Sequence, residues 1–492
     1  MASKLVLGPI LGITSDTEYS WLVMTKPNVN QLDLVLNGNA VVFTKLGELT
    51  SGWVWRASAA LPLTPNGTTH DYQVQLDGEL ASSAAGKSSW QFYQPGATEE
   101  PRMAYCSCNG FSDYKLLTST ETPYALWSKM QKLHGESPFS LLLMGGDQLY
   151  ADSIWTQVTS LKSWNEQPRD KKVKAQASKV MQQQIANFYG NLYVDRWNKQ
   201  PFADMLASIP SVMMWDDHDI FDGWGSYPAD IQNCEVYQAI YQEAKRHFEL
   251  LQLRGTDNPS LIPVNGARTH FTTLLKFRKL NILALDNRSE RTIKQVMGAA
   301  HWADVIASLA TITSGDLLLM SAVPVVYRDF SFAESAVDAT PWEEELTDDL
   351  KDHWRAKEHE GERSRLIMRL LENARMREGK TVILSGDVHV GALGVIRAEC
   401  QQQPVQIHQI VSSGIVHPAP SFMQWLGITA VTNDDVEYLD EAKKISASMI
   451  KPFGGDKYLR CRNFTTLQAG TDGKLWVNWI IEGKDEPVYP IQ

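Results

Sequence analysis

Short apolar runs recur along most of the chain: Phe139 to Met144, Val212 to Trp215, Leu280 to Leu285, Leu317 to Ala322, Thr381 to Leu384 and Val405 to Val411. They lack the polar alternation of a half-exposed strand, which predicts strands buried in a core. Between them lie helical patterns at Lys171 to Trp197, Glu235 to Leu253, Thr292 to Ala310 and Trp342 to Arg377. Strands alternating with long helices predict an α/β domain from Arg102 onward. Before it the texture differs. Leu32 to Leu36 and Ala40 to Phe43 flank Asn37-Gly38, and Tyr72 to Leu76 runs into Asp77-Gly78. Both are hairpin signals, because the turn needs residues that tolerate positive φ. Trp53-Val54-Trp55 and Trp90 to Tyr93 add short strands at sandwich-like spacing, and Gln94 to Pro101 reads as a linker. The expectation is a small β-sandwich of immunoglobulin or fibronectin type at residues 1–97 and an α/β domain at residues 101–492. The latter closes on a hairpin, Phe464 to Ala469 and Leu475 to Ile481.

A length of 492 residues agrees with two domains, or with one large domain and a small partner. The net charge of -11 argues against non-specific binding to nucleic acid or to anionic membranes, since both need a basic surface. Phosphate binding then requires a local cationic site such as metal ions. Met1 to Ile10 carries one positive charge, and its apolar run is broken by Gly8 and Pro9, short of a secretory signal or a membrane span. The expected location is cytoplasmic, with no membrane insertion. Five cysteines, an odd number without paired spacing, agree with a reducing compartment.

Four predicted strands end in side chains with metal or acid-base chemistry. Arg102 to Cys106 leads into Ser107-Cys108-Asn109, where either Cys106 or Cys108 is a ligand candidate. Leu141 to Met144 is followed by Gly145-Gly146-Asp147, with Tyr150 three positions on. A carboxylate and a phenol aimed at one point suit a hard cation, although Asp147 also fits a helix N-cap. Met213-Met214-Trp215 precedes Asp216-Asp217-His218-Asp219, and crowding that much negative charge at a core edge is costly without a cation or hydrogen bonds. Thr381 to Leu384 leads through Ser385-Gly386 to Asp387 and His389. His301 and His353, each beside a tryptophan in a helical pattern, read as packing. Gly223-Trp224-Gly225-Ser226 lacks the lysine of a phosphate loop, and no Gly-x-Ser-x-Gly elbow is present.

In series, Ala104 to Asn109, Gly146 to Tyr150, Trp215 to Asp219, Leu285 to Arg288 and Ser385 to His389 resemble the alkaline phosphatase D (PhoD-like) branch of the calcineurin-like metallophosphoesterases, over about Arg102 to Val416. The resemblance implies a two-sheet αββα sandwich as the catalytic domain and a binuclear metal centre. It implies Fe(III) held by Cys108, Asp147, Tyr150 and His389, with Asp147 bridging to calcium, magnesium or manganese held by Asp217 and Asp387. It also selects Cys108 over Cys106. Two such cations share a hydroxide nucleophile against a phosphate ester, and His218 is placed to protonate the leaving group. Arg288 either binds the phosphate or makes a salt bridge to Asp286 or Glu290, and Asn109 is a further substrate contact. The superfamily's usual Asp-x-His and Gly-His-x-His elements are absent, as is a recognisable histidine between the third and last motifs. Two alternatives stand beside a phosphatase: a phosphodiesterase acting on lipid or nucleotide diesters, and a non-catalytic protein that holds metals structurally.

Overall fold

Wherever a chemistry-bearing residue follows an apolar run, the computed structural model has a strand ending just before it. The structure describes residues 3–329, 352–399, 404–452, 454–483 and 486–492. Eight strands frame the site: β1 (Leu7–Ile13), β2 (Arg102–Cys106), β3 (Leu141–Gly145), β4 (Ser211–Met214), β5 (Leu280–Ala284), β6 (Asp316–Ser321), β7 (Thr381–Ser385) and β8 (Val405–Ser412). β2, β3 and β4 run parallel within a ten-stranded sheet, with the C-terminal hairpin Asn463–Ala469 and Leu475–Ile481 added along β2. β5 to β8 run parallel, in chain order, within a nine-stranded sheet. Parallel strands put all their carboxyl ends on one edge, which is where ligands collect in α/β sheets.

Side-chain alternation along each strand sets the layering. Met103, Tyr105, Leu141, Leu143, Val212 and Met214 share one apolar cluster with Ile282, Leu318, Met320, Val382, Leu384 and Ile410, so the two sheets pack face to face. The intervening residues Ala104, Cys106, Leu142, Met144 and Met213 meet helices α1 (Ala125–Glu136), α2 (Lys179–Trp197) and α3 (Glu235–His247). On the far side Leu283, Leu317, Leu319 and Ile383 meet α4 (Ala299–Ala310) and α5 (Glu360–Met376). The layers run helices, sheet, sheet, helices.

The N-terminal strands depart from the expected self-contained sandwich. A six-stranded sheet holds both hairpins, with φ of 49° and 82° at Asn37 and Gly38 and again at Asp77 and Gly78. The other strands, β1, Glu18–Thr25, Gly52–Ala60 and Thr44–Leu49, instead continue the ten-stranded sheet, because β1 pairs parallel with β4 at Gly12 and Ser211. The ten-stranded sheet therefore takes strands from both sides of residues 97–101. The physical reason is burial: Leu11, Ile13, Trp21 and Val23 belong to the same apolar cluster as Leu143 and Ile282.

Helix limits also moved. Lys171 to Trp197 splits, with α2 starting after Ser178, whose hydroxyl accepts from the Met181 amide at 3.2 Å. α3 runs on into a π turn, Phe248–Gln252. α4 starts only at Ala299 and α5 only at Glu360, while the stretch from Trp342 to residue 351 lies outside the described residues. Cys106, Cys108, Cys234 and Cys461 are free thiols. No helix among the described residues is long and apolar enough to cross a membrane.

Arg254 locks the junction of β1 and β4. It is buried, burial pulls its guanidinium pKa down to about 10, and it donates to the Ser211 carbonyl at 2.7 Å and hydroxyl at 3.2 Å. A Cβ on Gly12 would lie 2.2 Å from the Arg254 Nε. Gly12→Ala should therefore destabilise the protein by about 1–3 kcal/mol through overpacking. Much of that cost should vanish in an Arg254→Ala background, and urea denaturation of the four proteins of that cycle measures the coupling.

Candidate metal centre

Four loops leave the carboxyl ends of β2, β3, β7 and β8 and are tied to one another by main-chain hydrogen bonds. Cys108 and Asn109 donate to the carbonyls of Gly146 and Asp147 at 3.3 and 2.9 Å, and His417 donates to the Cys108 carbonyl at 3.2 Å. The His389 amide donates to the Ser413 hydroxyl at 2.9 Å. The predicted donors converge as a result. Cys108 Sγ and Tyr150 Oη lie 3.4 and 3.5 Å from Asp147 Oδ2, and Tyr150 Oη lies 3.2 Å from His389 Nε2. Asp147, Asp217 and His218 offer ligand atoms within 4.8 Å of one another. Asp387 joins through its carbonyl, 3.9 Å from Cys108 Sγ, and through its carboxyl, which feels Asp216, Asp352 and Asp217. Cys106 sits instead in the strand, facing the helices.

Four of these residues are left-handed: φ is 55° at Cys108, 54° at Asp147, 66° at Asp387 and 53° at His389. Each such non-glycine residue costs on the order of 1–3 kcal/mol and persists only where its surroundings over-determine it, a habit of functional sites. Gly146, at φ 107°, is needed for a second reason, since a Cβ there would lie 2.9 Å from the Asp216 Cβ.

Burial drives five of the candidate donors toward their neutral forms. It raises the pKa of Asp147, Asp387, the Cys108 thiol and the Tyr150 phenol well above their ordinary values, and lowers that of His389. Asp147 Oδ1 is buried without a hydrogen-bond partner among the described residues. An orphaned carboxylate oxygen beside a thiol, a phenol, an imidazole and further carboxylates fits a site built for cations.

Asp219 is structural, and Asp217 is anchored by a main-chain bond. Asp219 accepts from the amides of Gln148, Leu149 and Asp216 and from the Gln252 amide group, tying the Asp147 loop to the Asp217 loop. Asp217 accepts from the Gly223 amide at 2.8 Å, which gives the glycine-rich loop Gly223 to Ser226 its role. Arg288 is a correction. It is fully buried, and its five N–H groups go to Asp216, to both oxygens of Asp352 at 2.5 Å, to Asp217 at 3.3 Å and to the Trp224 carbonyl at 3.2 Å. No donor remains for a substrate phosphate, and the salt bridges made are to neither Asp286 nor Glu290. Asn109 is buried, with its Oδ1 accepting from Trp127 Nε1 at 2.8 Å.

His218 is held by a residue that sequence reading passed over. Its Nδ1 lies 2.9 and 3.0 Å from the two oxygens of Asp152, and its ring stacks on Tyr150 at 4.2 Å. Burial lowers its pKa, but Asp152, Asp217 and Asp147 outweigh that and hold it well above the ordinary value. His417 was also missed, although it follows the end of β8 as the other site residues follow their strands. Its ring stacks on His389 at 3.7 Å and on Tyr150 at 5.4 Å. Asp352, the partner of Arg288, gave no signal in the sequence. Burial would raise its pKa, but Arg288 and Arg291 hold it well below the usual carboxylate range. His301 is a packed ring, stacked on His270 at 3.7 Å and 2.6 Å from the Thr272 hydroxyl, and His353 is partly covered near Tyr327.

Fold and site together define a two-sheet α/β protein with a buried, mixed-donor candidate cation site. The chain belongs to the PhoD-related phosphatase family, whose sequence profile matches residues 117–344 and 335–444. It is 28% identical over 409 residues to an uncharacterized protein of Saccharomyces cerevisiae, YGR266W, a match covering 70% of this chain and 57% of the yeast protein. The chain thus spans little more than half the length of that relative. Among solved structures it resembles PhoD, with a TM-score of 0.60, 14% identity and coverage of 99% of this chain and 89% of the other. It also resembles a purple acid phosphatase from yellow lupin (Lupinus luteus) seeds, with a TM-score of 0.51, 10% identity and coverage of 98% and 74%.

Two measurements check the electrostatics. Burial pushes Asp216 and Asp219 up to about 6 and about 7. With folded pKa values above the unfolded one of roughly 3.9, the folded state binds extra protons, so stability is present at low pH and lost as pH rises through the folded values. Chelator-treated protein should lose unfolding free energy between about pH 4 and 7, with Asp219→Asn flattening the upper part of that slope. Arg288→Met should cost about 3–5 kcal/mol in urea denaturation, because it strips the buried carboxylates of their fixed cation.

Proposed function

We propose that this protein is a metal-dependent phosphoesterase with a binuclear centre. The observation that carries the reading is the meeting of Cys108, Asp147, Tyr150 and His389 at contact distance, with Asp217 and His218 beside Asp147. In this reading Cys108, Asp147, Tyr150 and His389 would hold Fe(III), because phenolate and carboxylate favour a hard, highly charged ion. Asp147, Asp217 and Asp387 hold calcium, magnesium or manganese, which suit oxygen ligands. When bound, the cations neutralise the phosphoryl oxygens and lower the pKa of the attacking water.

This chain's own residues do the rest. Asp152 fixes His218 through Nδ1, which orients Nε2 as the proton-delivering atom and favours the imidazolium form. His218 then gives its proton to the leaving alkoxide. Asn109, its oxygen fixed by Trp127, keeps its amide N–H groups to donate to a substrate oxygen. Arg288 is a positioning residue that holds the Asp217 carboxylate. A proton-delivering pair has no use in a purely structural metal site, which disfavours the non-catalytic alternative.

His218→Ala should lower turnover of an alkyl phosphate ester by roughly 10²- to 10⁴-fold, and that of a nitrophenyl ester much less, since a good leaving group needs no proton. Asp152→Asn should fall between. Purified protein should absorb visible light and lose the band in Tyr150→Phe, which checks the iron assignment independently of turnover. Metal-loaded protein inert toward both monoesters and diesters would overturn the reading.

A further inference from the structure

We infer that His417 is a positioning residue whose ring, stacked on His389 and Tyr150, fixes the planes of two of the candidate iron ligands; the inference rests on the binuclear reading above. The nitrogens of this ring are spent elsewhere. Nδ1 lies 2.9 Å from the Pro418 carbonyl, which can only accept, so Nδ1 carries a proton, and Nε2 meets the Ser112 hydroxyl at 3.2 Å. The residue is buried as well. With both nitrogens engaged it neither ligates a cation nor passes a proton to substrate, and what it still offers is its faces. It stacks on the His389 ring with centroids 3.7 Å apart and planes 16° from parallel. The Tyr150 ring lies 5.4 Å away at 20°.

The local fold is built to deliver that stack. The amides of Val416 and His417 both donate to the Cys108 carbonyl, at 3.3 and 3.2 Å. Gly414 takes a φ of 82°, and a Cβ there would lie 2.4 Å from the His417 carbonyl oxygen and 3.9 Å from the His389 Cα. A side chain at that position would be opposed twice, by conformation and by contact, so the glycine is what lets the chain double back on His389. His389 needs the support. A metal-bound histidine normally donates its second N–H to a carboxylate or a carbonyl, which fixes the plane of the ring. His389 Nε2 meets Tyr150 Oη at 3.2 Å, but its Nδ1 makes no hydrogen bond among the described residues. A keyed ring stacked on it restrains the same rotation by contact instead. The Tyr150 ring also carries His218, at 4.2 Å, so one run of four rings joins the proposed acid to both ligands.

Two readouts test this without turnover: retention of iron against a competing chelator, and the visible band of phenolate bound to iron. His417→Leu fills the space without a flat face, whereas His417→Phe keeps the face and drops both hydrogen bonds. The Leu variant should lose about 10- to 100-fold in iron affinity and shift or broaden the band, as happens when a group that orients a ligand is removed. The Phe variant should recover most of that loss and the wild-type band. Urea denaturation of the two metal-free variants should rank them alike, since either side chain replaces a merely packed ring. Should both fail to fold, Ser112→Ala, which unkeys Nε2 and leaves the ring in place, must still shift the band or the inference falls. Three results would overturn it: Leu and Phe variants that both hold iron as wild type does, variants that lose it equally, or iron-loaded wild type without a band. The first two leave the binuclear reading standing, and the third removes Tyr150 as a ligand.

Discussion

The structure depends on how it contains buried negative charge. Asp147, Asp216, Asp217, Asp219 and Asp352 are all buried around one point, with Asp387 beside them, and a single fully buried guanidinium, Arg288, reaches three of them. Such charge is costly unless paired and hydrogen-bonded. The chain meets that cost unevenly. Asp219 is held by N–H donors and Asp352 by arginines, whereas Asp147 and Asp216 each keep an oxygen without a partner among the described residues. The saturated carboxylates are scaffold, and Asp147, which Cys108 and Tyr150 also approach, is the candidate cation ligand.

A rigid frame makes that imbalance tolerable. Two sheets packed face to face hold the strand ends, and the loops beyond them are laced by main-chain bonds from Cys108, Asn109 and His417. Held in this way, four donors keep left-handed backbones that none would adopt alone. Extending the sheet through β1 adds to the frame, with Arg254 filling the gap where β1 and β4 part.

Membership of the PhoD-related phosphatase family and the site geometry point the same way, although the similarity to solved structures concerns fold alone. In the proposed reading the Asp152–His218 pair is the feature that separates chemistry from mere metal storage. The His218 ring stacks on Tyr150, which puts the proposed acid and the proposed ligand on one wall of the site.

The sequence by itself determined the buried strands, the hairpins at Asn37-Gly38 and Asp77-Gly78, and the donors at strand ends, because these are local signals: apolar runs, turn residues, and side chains within a few positions of a strand's end. His417 obeyed the same rule and was legible in principle. Tertiary structure alone decided what depends on contacts between distant segments. Arg288 reads as a phosphate ligand until Asp352, 64 positions on, takes both of its terminal nitrogens. Asp152 is an unremarkable loop residue until the His218 ring arrives 66 positions later. The N-terminal strands look self-contained until β1 meets β4, since strand pairing across 199 residues leaves no local trace in either partner.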